Sequence, residues 1–189
     1  MCSENSVNIL PEPPRELKCV SKELCGLIRR KITNEGPLPF SGYMEMALYE
    51  PGLGYYSAGL QKFGPGGDFI TAPQLGDIFA RCLANQIGQI AVSIGKYEII
   101  EAGSGTGVLA ADLLLALEKQ HPPERFRILE RSAHLRHLQR ETLERLVPHW
   151  LDRIEWLDQP PETDWQGVFL ANEVLDALTV ERFRLTEDG

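Results

Sequence analysis

The residue types that could do chemistry are concentrated in residues 101–107, which read EAGSGTG. Because glycine has no Cβ atom, Gly103, Gly105 and Gly107 permit positive φ angles and let a ligand approach the backbone closely. The apolar segment 108–117 that follows has the composition of a helix, whose N-terminus would supply free N–H groups and partial positive charge. This arrangement is typical of nucleotide-binding sites. A tight turn without a ligand is the alternative interpretation.

The class of ligand follows from what this segment contains and lacks. A dinucleotide site would need the spacing G-x-G-x-x-G, but Val108 follows Gly107, and the Gly-Lys-Ser/Thr of a P-loop is absent. Glu101 suits a cationic or amine-bearing ligand better than a pyrophosphate. We therefore expect S-adenosylmethionine, which carries a positive sulfonium and an amino group. The predicted binding residues are Glu101, Gly103, Ser104, Gly105, Thr106 and Gly107.

A second acid, Glu130, ends the next β-like run, residues 126–129. In doubly wound sheets, an acid at the end of the second strand can bind ribose hydroxyls about 20 residues after the glycine turn. Glu130 lies slightly further along the chain, which a longer first helix would allow. Capping of the next helix is the alternative, and the two roles can coexist.

Three polar residues, Asn172, Glu173 and Asp176, follow the fourth apolar run, residues 167–171. Ligands of open α/β sheets bind beyond the carboxyl ends of the strands, so these residues should approach the glycine turn and Glu130. Glu173 and Asp176 would face the same way if their segment turns helically. Paired carboxylates could orient a cationic nucleophile such as a guanidinium and accept its proton. Alternatively, one residue caps a helix and Asp176 is solvated.

The elements that must position these residues are short β-like runs alternating with helices. The runs, residues 97–101, 126–129, 154–157 and 167–171, predict an α/β fold with a mainly parallel, Rossmann-like sheet. We expect a loose arm over residues 1–20, a helical region with a glycine-rich loop over 21–94, and the sheet domain over 95–189. Within them, we expect Ser21 and Asp77 to cap helices, and a helix over residues 132–150 to point Leu135, Leu138, Thr142 and Leu146 inward.

Composition limits the possible partners and the compartment. The formal net charge of −8 argues against nucleic acid as a main partner. The four cysteines form no C-x-x-C pair, which indicates reduced thiols, and no apolar run approaches membrane-spanning length. No targeting pattern stands out, so we expect a cytoplasmic protein. His134, His137 and Glu141 share a helix face, but the arginines around them favour a solvated surface, and we predict no metal site.

Five motifs, in order, resemble one family, the MidA-type class I methyltransferases: GYMEMALYEPGLGYYSAG, GDFITAP, EAGSGTGVLAADLL, LERSAHLRHLQ and LANEVLDAL. The resemblance runs from about Pro37 to the C-terminus. It implies a class I methyltransferase sheet and methyl transfer from S-adenosylmethionine, with protein arginine as the substrate of the mitochondrial member. It also implies that the three glycines hold the methionine end of the cofactor and Glu130 its ribose. A roof over the site would come from Asp68, Phe69 and Thr71.

Two departures from the family pattern qualify this expectation. Gln74 stands where the family usually has Glu, which removes a charge from the neighbourhood of the cofactor. The chain also stops at Gly189, so we expect the C-terminal part of the usual sheet to be absent. Two hypotheses follow: a methyltransferase acting on a protein side chain, or a non-catalytic cofactor-binding module that serves as an assembly or regulatory factor. The identity of the acceptor and the oligomeric state are left open.

Overall fold

The computed structural model describes residues 12–59 and 71–185, and it contains one parallel sheet. The strands are β1 (Glu98–Ala102), β2 (Arg125–Leu129), β3 (Ile154–Leu157) and β4 (Gly167–Ala171), in the order β3-β2-β1-β4. The helices are α1 (Arg15–Glu35), α2 (Phe40–Tyr49), α3 (Ile78–Ile94), α4 (Val108–Leu117) and α5 (Ala133–Leu146). Short 3₁₀ turns cover Ala72–Leu75, Pro148–Arg153 and Leu175–Ala177. The predicted α/β, Rossmann-like fold is confirmed.

The register of the strands brings the candidate site residues to one edge of the sheet. Ala102, the last residue of β1, pairs with Leu129 of β2 on one side and with Ala171 of β4 on the other. Because the strands are parallel, the residues that follow all three strands leave the sheet at the same edge. These are the glycine turn, Glu130 and the segment that begins at Asn172.

The core explains why β1 is uniformly apolar. Ile99 and Ile100 point to opposite faces of the sheet, and both are completely buried. This pattern is typical of a parallel strand covered on both faces. Leu113 and Leu114 of α4 and Phe126 of β2 are also fully buried. Burying such a side chain stabilises the fold by about 1.5–3 kcal/mol, so this core stabilises the sheet whose edge carries the site.

Two local predictions about helix ends were wrong, and a third is confirmed only in position. α1 begins at Arg15 rather than after Ser21, because Pro14 has a φ of −50° suited to a helix start and Glu16 complements the dipole of the first turn. Residues 15–20 are therefore helical rather than part of a loose arm. Asp77 precedes α3 as predicted, but its side chain makes no capping hydrogen bond. The last predicted helix ends at Leu146, because Pro148 cannot continue it.

The buried face of α5 also differs from the prediction. Leu135 is buried as expected, but Leu138, Thr142 and Leu146 are only partly buried. The fully buried positions further along the helix are Gln139 and Leu143. α5 therefore turns an amide towards the sheet, and this amide has consequences for the site.

Residues 12–59 and 71–185 contain neither a membrane-spanning helix nor a cluster of metal-binding side chains. No helix in these ranges is long and apolar enough to cross a membrane. The same ranges contain no group of three or more His, Cys, Asp or Glu side chains placed to hold a metal ion.

Candidate functional site

A cleft lies at the carboxyl edge of the sheet and is walled by three parts of the chain. The turn after β1 and Glu130 form one side, and the segment after β4 forms another. The third wall comes from α2, the loop after it and the Ala72–Leu75 turn. The described lining residues are Tyr49, Tyr56, Thr71, Pro73, Gln74, Glu101, Gly103, Ser104, Gly105, Thr106, Val108, Leu109, Glu130, Leu135, Asn172, Glu173, Val174, Asp176 and Ala177.

The turn after β1 needs its glycines for backbone conformation. Gly103, Gly105 and Gly107 have φ angles of +63°, +55° and +83°, a region that residues with a Cβ rarely adopt. Gly107 differs from the other two because it does not line the cleft. A Cβ at Gly107 would lie 3.1 Å from the Cα of Gln139, so this glycine allows α5 to pack closely against the turn.

Glu101 places a buried carboxylate at the base of the cleft. Its side chain is 2% exposed, and the Ser104 hydroxyl donates a hydrogen bond of 2.5 Å to its Oε2. The pKa of Glu101 is raised to about 7: burial raises it most, the bond from Ser104 partly offsets this, and the neighbouring Glu130 carboxylate adds to the rise. A cation in the cleft would stabilise the charged form, so Glu101 is prepared to bind an amine.

Glu130 is a second buried acid, held at both oxygens. The backbone N–H of Ser132 donates to its Oε1 at 2.9 Å, and the Gln139 amide donates to its Oε2 at 3.1 Å. Burial still raises the pKa of Glu130 above its usual range. The predicted capping role belongs instead to Ser132, whose hydroxyl accepts from the backbone N–H of Leu135 at 3.3 Å. Glu130 is therefore free to face the cleft.

Gln139 is the site residue that the sequence analysis missed. Its side chain is completely buried and donates to both the Gly105 carbonyl and Glu130, each at 3.1 Å. A polar residue on a helix is assigned to the solvated face by hydrophobic periodicity alone. The only available signal was its place on the same helical stripe as Leu135 and Leu143, at spacings of four.

The segment after β4 contributes the predicted polar group. Asn172, Glu173 and Asp176 all line the cleft. Glu173 has a φ of +52°, and among the residues that the structure describes it is the non-glycine residue with a positive φ. Such strained positions cluster at functional sites, where the surroundings hold an unfavourable conformation in place.

Two tyrosines face these acids across the cleft. The Tyr49 hydroxyl donates to the Ala177 carbonyl at 2.7 Å, and the rings of Tyr49 and Tyr56 stack with centroids 5.7 Å apart. Burial raises the pKa of Tyr49 to about 12, and burial together with the Asp176 carboxylate raises the pKa of Tyr56. Both hydroxyls therefore stay protonated at neutral pH, and both rings combine packing with exposure to the cleft.

The predicted roof residues are only partly accounted for. Thr71 lines the cleft, whereas Asp68 and Phe69 lie outside the described residues. Gln74 also lines the cleft, and its Oε1 accepts a hydrogen bond from the Thr71 backbone N–H at 3.4 Å. The amide at position 74 thus organises the turn that carries Thr71.

The chemistry of the lining residues fits a cationic ligand that carries hydroxyl groups. Four carboxylates line the cleft, from Glu101, Glu130, Glu173 and Asp176, and its described lining contains no Lys, Arg or His. A pyrophosphate would be repelled by this set of charges. A sulfonium, an amine and a ribose would each find an acid, so these residues fit S-adenosylmethionine.

Comparisons with known proteins agree with this geometry. Residues 78–189, more than half of the chain, match a family model described as "Putative S-adenosyl-L-methionine-dependent methyltransferase". The mitochondrial protein arginine methyltransferase NDUFAF7 of Danio rerio is 29% identical, over 100% of this chain and 47% of that protein. Its Drosophila melanogaster homologue is 29% identical, over 93% of this chain and 47% of that protein.

A solved structure is more similar than these relatives. It is a Burkholderia thailandensis protein crystallised with S-adenosyl-homocysteine, 43% identical to this chain, with a TM-score of 0.81 over 90% of this chain and 45% of that one. The chain spans just under half the length of each of these three proteins.

Proposed function

Because the chain belongs to this S-adenosyl-L-methionine-dependent methyltransferase family, we propose that it binds S-adenosylmethionine in the cleft and methylates a protein arginine. Membership confirms the resemblance predicted from the five motifs. The observation that carries the proposal is the grouping of four carboxylates, without a described basic side chain, at the carboxyl edge of the sheet. A site of this charge attracts a sulfonium and a guanidinium together.

The cofactor would be held by residues that follow the first two strands. The Glu101 carboxylate would bind its amino group, the turn at Gly103, Ser104 and Gly105 would border its methionine end, and Glu130 would accept the ribose hydroxyls. When bound, the cofactor supplies a methyl group that its sulfonium makes electrophilic. The protein's contribution is to position the two reactants and to exclude water from between them.

The acceptor would be held by the segment after β4. Glu173 would pair with the guanidinium and orient one nitrogen towards the cofactor, and Asp176 would accept the proton that this nitrogen loses. Asn172 would hydrogen-bond the acceptor from the end of the strand. The positive φ of Glu173 supports this assignment, because such backbone conformations cluster at functional sites.

Arginine is proposed as the acceptor for two reasons. Relatives with 29% identity are named protein arginine methyltransferases. The paired acids also match a planar guanidinium, which can bind two carboxylate oxygens at once.

The proposal is tested with Glu173→Gln, which keeps the size of the side chain and removes its charge. Transfer of a labelled methyl group to an arginine-rich peptide should fall at least a hundredfold, because the guanidinium loses its charged partner. Calorimetric affinity for S-adenosylhomocysteine should stay within about twofold of wild type. The matched control is Glu141→Gln on the exposed face of α5, which should change neither quantity.

Two outcomes would contradict parts of this proposal. Equal methyl transfer to a peptide with lysine in place of arginine would show that the acceptor is not specifically arginine. Binding of S-adenosylhomocysteine without transfer to the peptide or to a protein extract would favour the alternative, a non-catalytic cofactor-binding module.

We also propose a reducing compartment, with the cytoplasm as the expected location. The support is that Cys19, Cys25 and Cys82 are free and exposed. Exposed thiols of this kind persist where the surroundings keep them reduced. Labelling of these thiols in freshly lysed cells, without added reductant, would test the expectation.

A further inference from the structure

Gln139 is a buried amide whose hydrogen bonds reach two separate parts of the cleft. Its Nε2 group donates to the Gly105 carbonyl and to Glu130 Oε2, each at 3.1 Å. Its Oε1 accepts from the Trp156 indole N–H at 3.0 Å. Both amide hydrogens are therefore used towards the cleft, and the carbonyl oxygen is used away from it.

The partners determine which way this amide points. The Gly105 carbonyl can only accept a hydrogen bond, and the indole N–H of Trp156 can only donate one. A flipped amide would place oxygen against oxygen and N–H against N–H. The orientation follows from the chemistry of the neighbours and needs no further assignment.

The amide is supported from behind by a second contact. The Arg140 guanidinium lies over the Trp156 ring, 4.3 Å from its centroid, and this contact fixes the indole that bonds to Gln139. On the other side, the backbone of Gln139 packs closely against Gly107, where an added Cβ would lie 3.1 Å from the Gln139 Cα. The side chain is thus held between β3 and the glycine turn.

The hydrogen bond from Gln139 determines the direction in which the free lone pairs of Glu130 point. Oε1 accepts from the Ser132 N–H, Oε2 accepts from Gln139 Nε2, and the Arg131 backbone N–H also acts on this carboxylate, so the acceptor capacity that remains for a ligand has a fixed direction. A planar carboxylate whose two oxygens are both held in place can face two adjacent hydroxyls. Without Gln139, the carboxylate could rotate, and its second oxygen would lose its fixed direction.

From these contacts we propose that Gln139, fixed by Trp156, is a positioning residue that makes Glu130 selective for a ligand with a vicinal diol. The inference rests on the proposed function, because it assumes that an adenosyl ligand occupies the cleft. Gln139 itself touches no ligand. Its effect is transmitted through Glu130 and the Gly105 carbonyl, which set the distance between the two cofactor-binding segments.

The test compares two ligands across several variants. The affinities of S-adenosylhomocysteine and of its 2′,3′-dideoxy analogue are measured by calorimetry on the full chain, and their ratio is the readout. Gln139→Met keeps the volume but removes the hydrogen bonds, and it should lower the ratio about tenfold, the usual effect of losing a hydrogen bond to a charged group. Trp156→Phe should lower it by about twofold to threefold, because the amide loses its anchor.

The control is Leu143→Ala, a buried position of the same helix that does not line the cleft. It should destabilise the fold and leave the ratio unchanged. A ratio that stays at the wild-type value in Gln139→Met, or in Trp156→Phe if the first variant does not fold, would overturn the proposal and leave Gln139 a purely structural role. If the wild-type chain binds neither ligand, the proposed function fails and the inference fails with it.

Discussion

At the scale of single residues, Glu101 shows how the fold prepares a group for a ligand. An isolated glutamate ionises well below neutral pH, but complete burial raises the pKa of Glu101 to about 7. The charged form is thus unfavourable in the free protein and becomes favourable once a cation is bound. Such a group lowers the stability of the free fold and raises its affinity for a cation, a combination that is common at functional sites.

Glu101→Gln should therefore make the fold more stable at high pH. The pKa of Glu101 is higher in the folded protein than its unfolded value of 4.5. The contribution of Glu101 to the free energy of unfolding therefore falls as the pH rises from about 4.5 to about 7, and it is constant above that. At about 1.4 kcal/mol per pH unit, the variant should gain roughly 3 kcal/mol relative to wild type above pH 7 and little near pH 4. Urea unfolding at several pH values measures this difference.

A second readout on Glu101→Gln separates stability from binding. The variant should bind S-adenosylhomocysteine at least tenfold more weakly than wild type at pH 8, because a neutral amide cannot pair with the ligand's amino group. A difference in stability that does not depend on pH would show that Glu101 is already ionised in the free protein. Unchanged affinity would show that the amine binds elsewhere.

At the scale of elements, the contact between the glycine turn and α5 determines the shape of the cleft. Gly107 starts α4 with a φ of +83°, and its Cα faces the backbone of Gln139. One residue thus satisfies two requirements, the left-handed turn and the close approach of two helices. The same approach brings the Gln139 amide within reach of Gly105 and Glu130.

Gly107→Ala should cost more stability than a glycine substitution at an open position. The new Cβ would pay the conformational cost of positive φ, on the order of 1 kcal/mol, and would also press on the backbone of α5 at 3.1 Å. The control is Gly52→Ala, with a φ of +73° and no neighbouring atom within 4 Å of the new Cβ. Thermal unfolding of both variants tests this, and equal losses would show that α5 moves aside without cost.

At the scale of the whole molecule, α2 and the loop after it form a wall of the cleft by contacting the segments that follow β2 and β4. Tyr49 bonds to the Ala177 carbonyl, and the Ser132 hydroxyl donates to the Tyr56 carbonyl at 2.7 Å. Arg131 pairs with Glu45 and lies over the Tyr49 ring, 4.7 Å from its centroid. These contacts join α2 to the ends of both β2 and β4, so residues far apart in the chain form one wall.

Tyr49→Phe tests how much one of these contacts contributes to the stability of the fold. The change removes the hydrogen bond to Ala177 and keeps the ring, so the free energy of unfolding should fall by about 1 kcal/mol. Tyr43→Phe is the control, because Tyr43 is 48% exposed and its hydroxyl should contribute little. Urea unfolding of both variants provides the comparison. An equal effect of the two substitutions would mean that the Tyr49 hydrogen bond adds nothing to the free energy of unfolding.

The sequence by itself determined the class of fold and predicted many of the residues that line the cleft. The strands, the exact span of α4 and the positions of Glu101, Glu130 and Glu173 follow from local rules: apolar runs form buried strands, glycines form tight turns, and parallel strands place their carboxyl ends together. These rules act over a few residues, so the chain alone reveals them. The start of α1 at Arg15 differs from the prediction, because Pro14 can begin a helix without a serine cap.

Only the tertiary structure decided which polar groups are buried and what they contact. Gln139 looks like an ordinary surface residue in the sequence, and Tyr49 is expected to pack and to make a hydrogen bond with no identifiable partner, yet each bonds to atoms more than 30 positions away. Such pairings depend on how α5 and α2 pack on the sheet, and no local pattern encodes that packing. The raised pKa of Glu101 has the same origin, because desolvation is a property of everything that surrounds a group in space rather than of its neighbours in the chain.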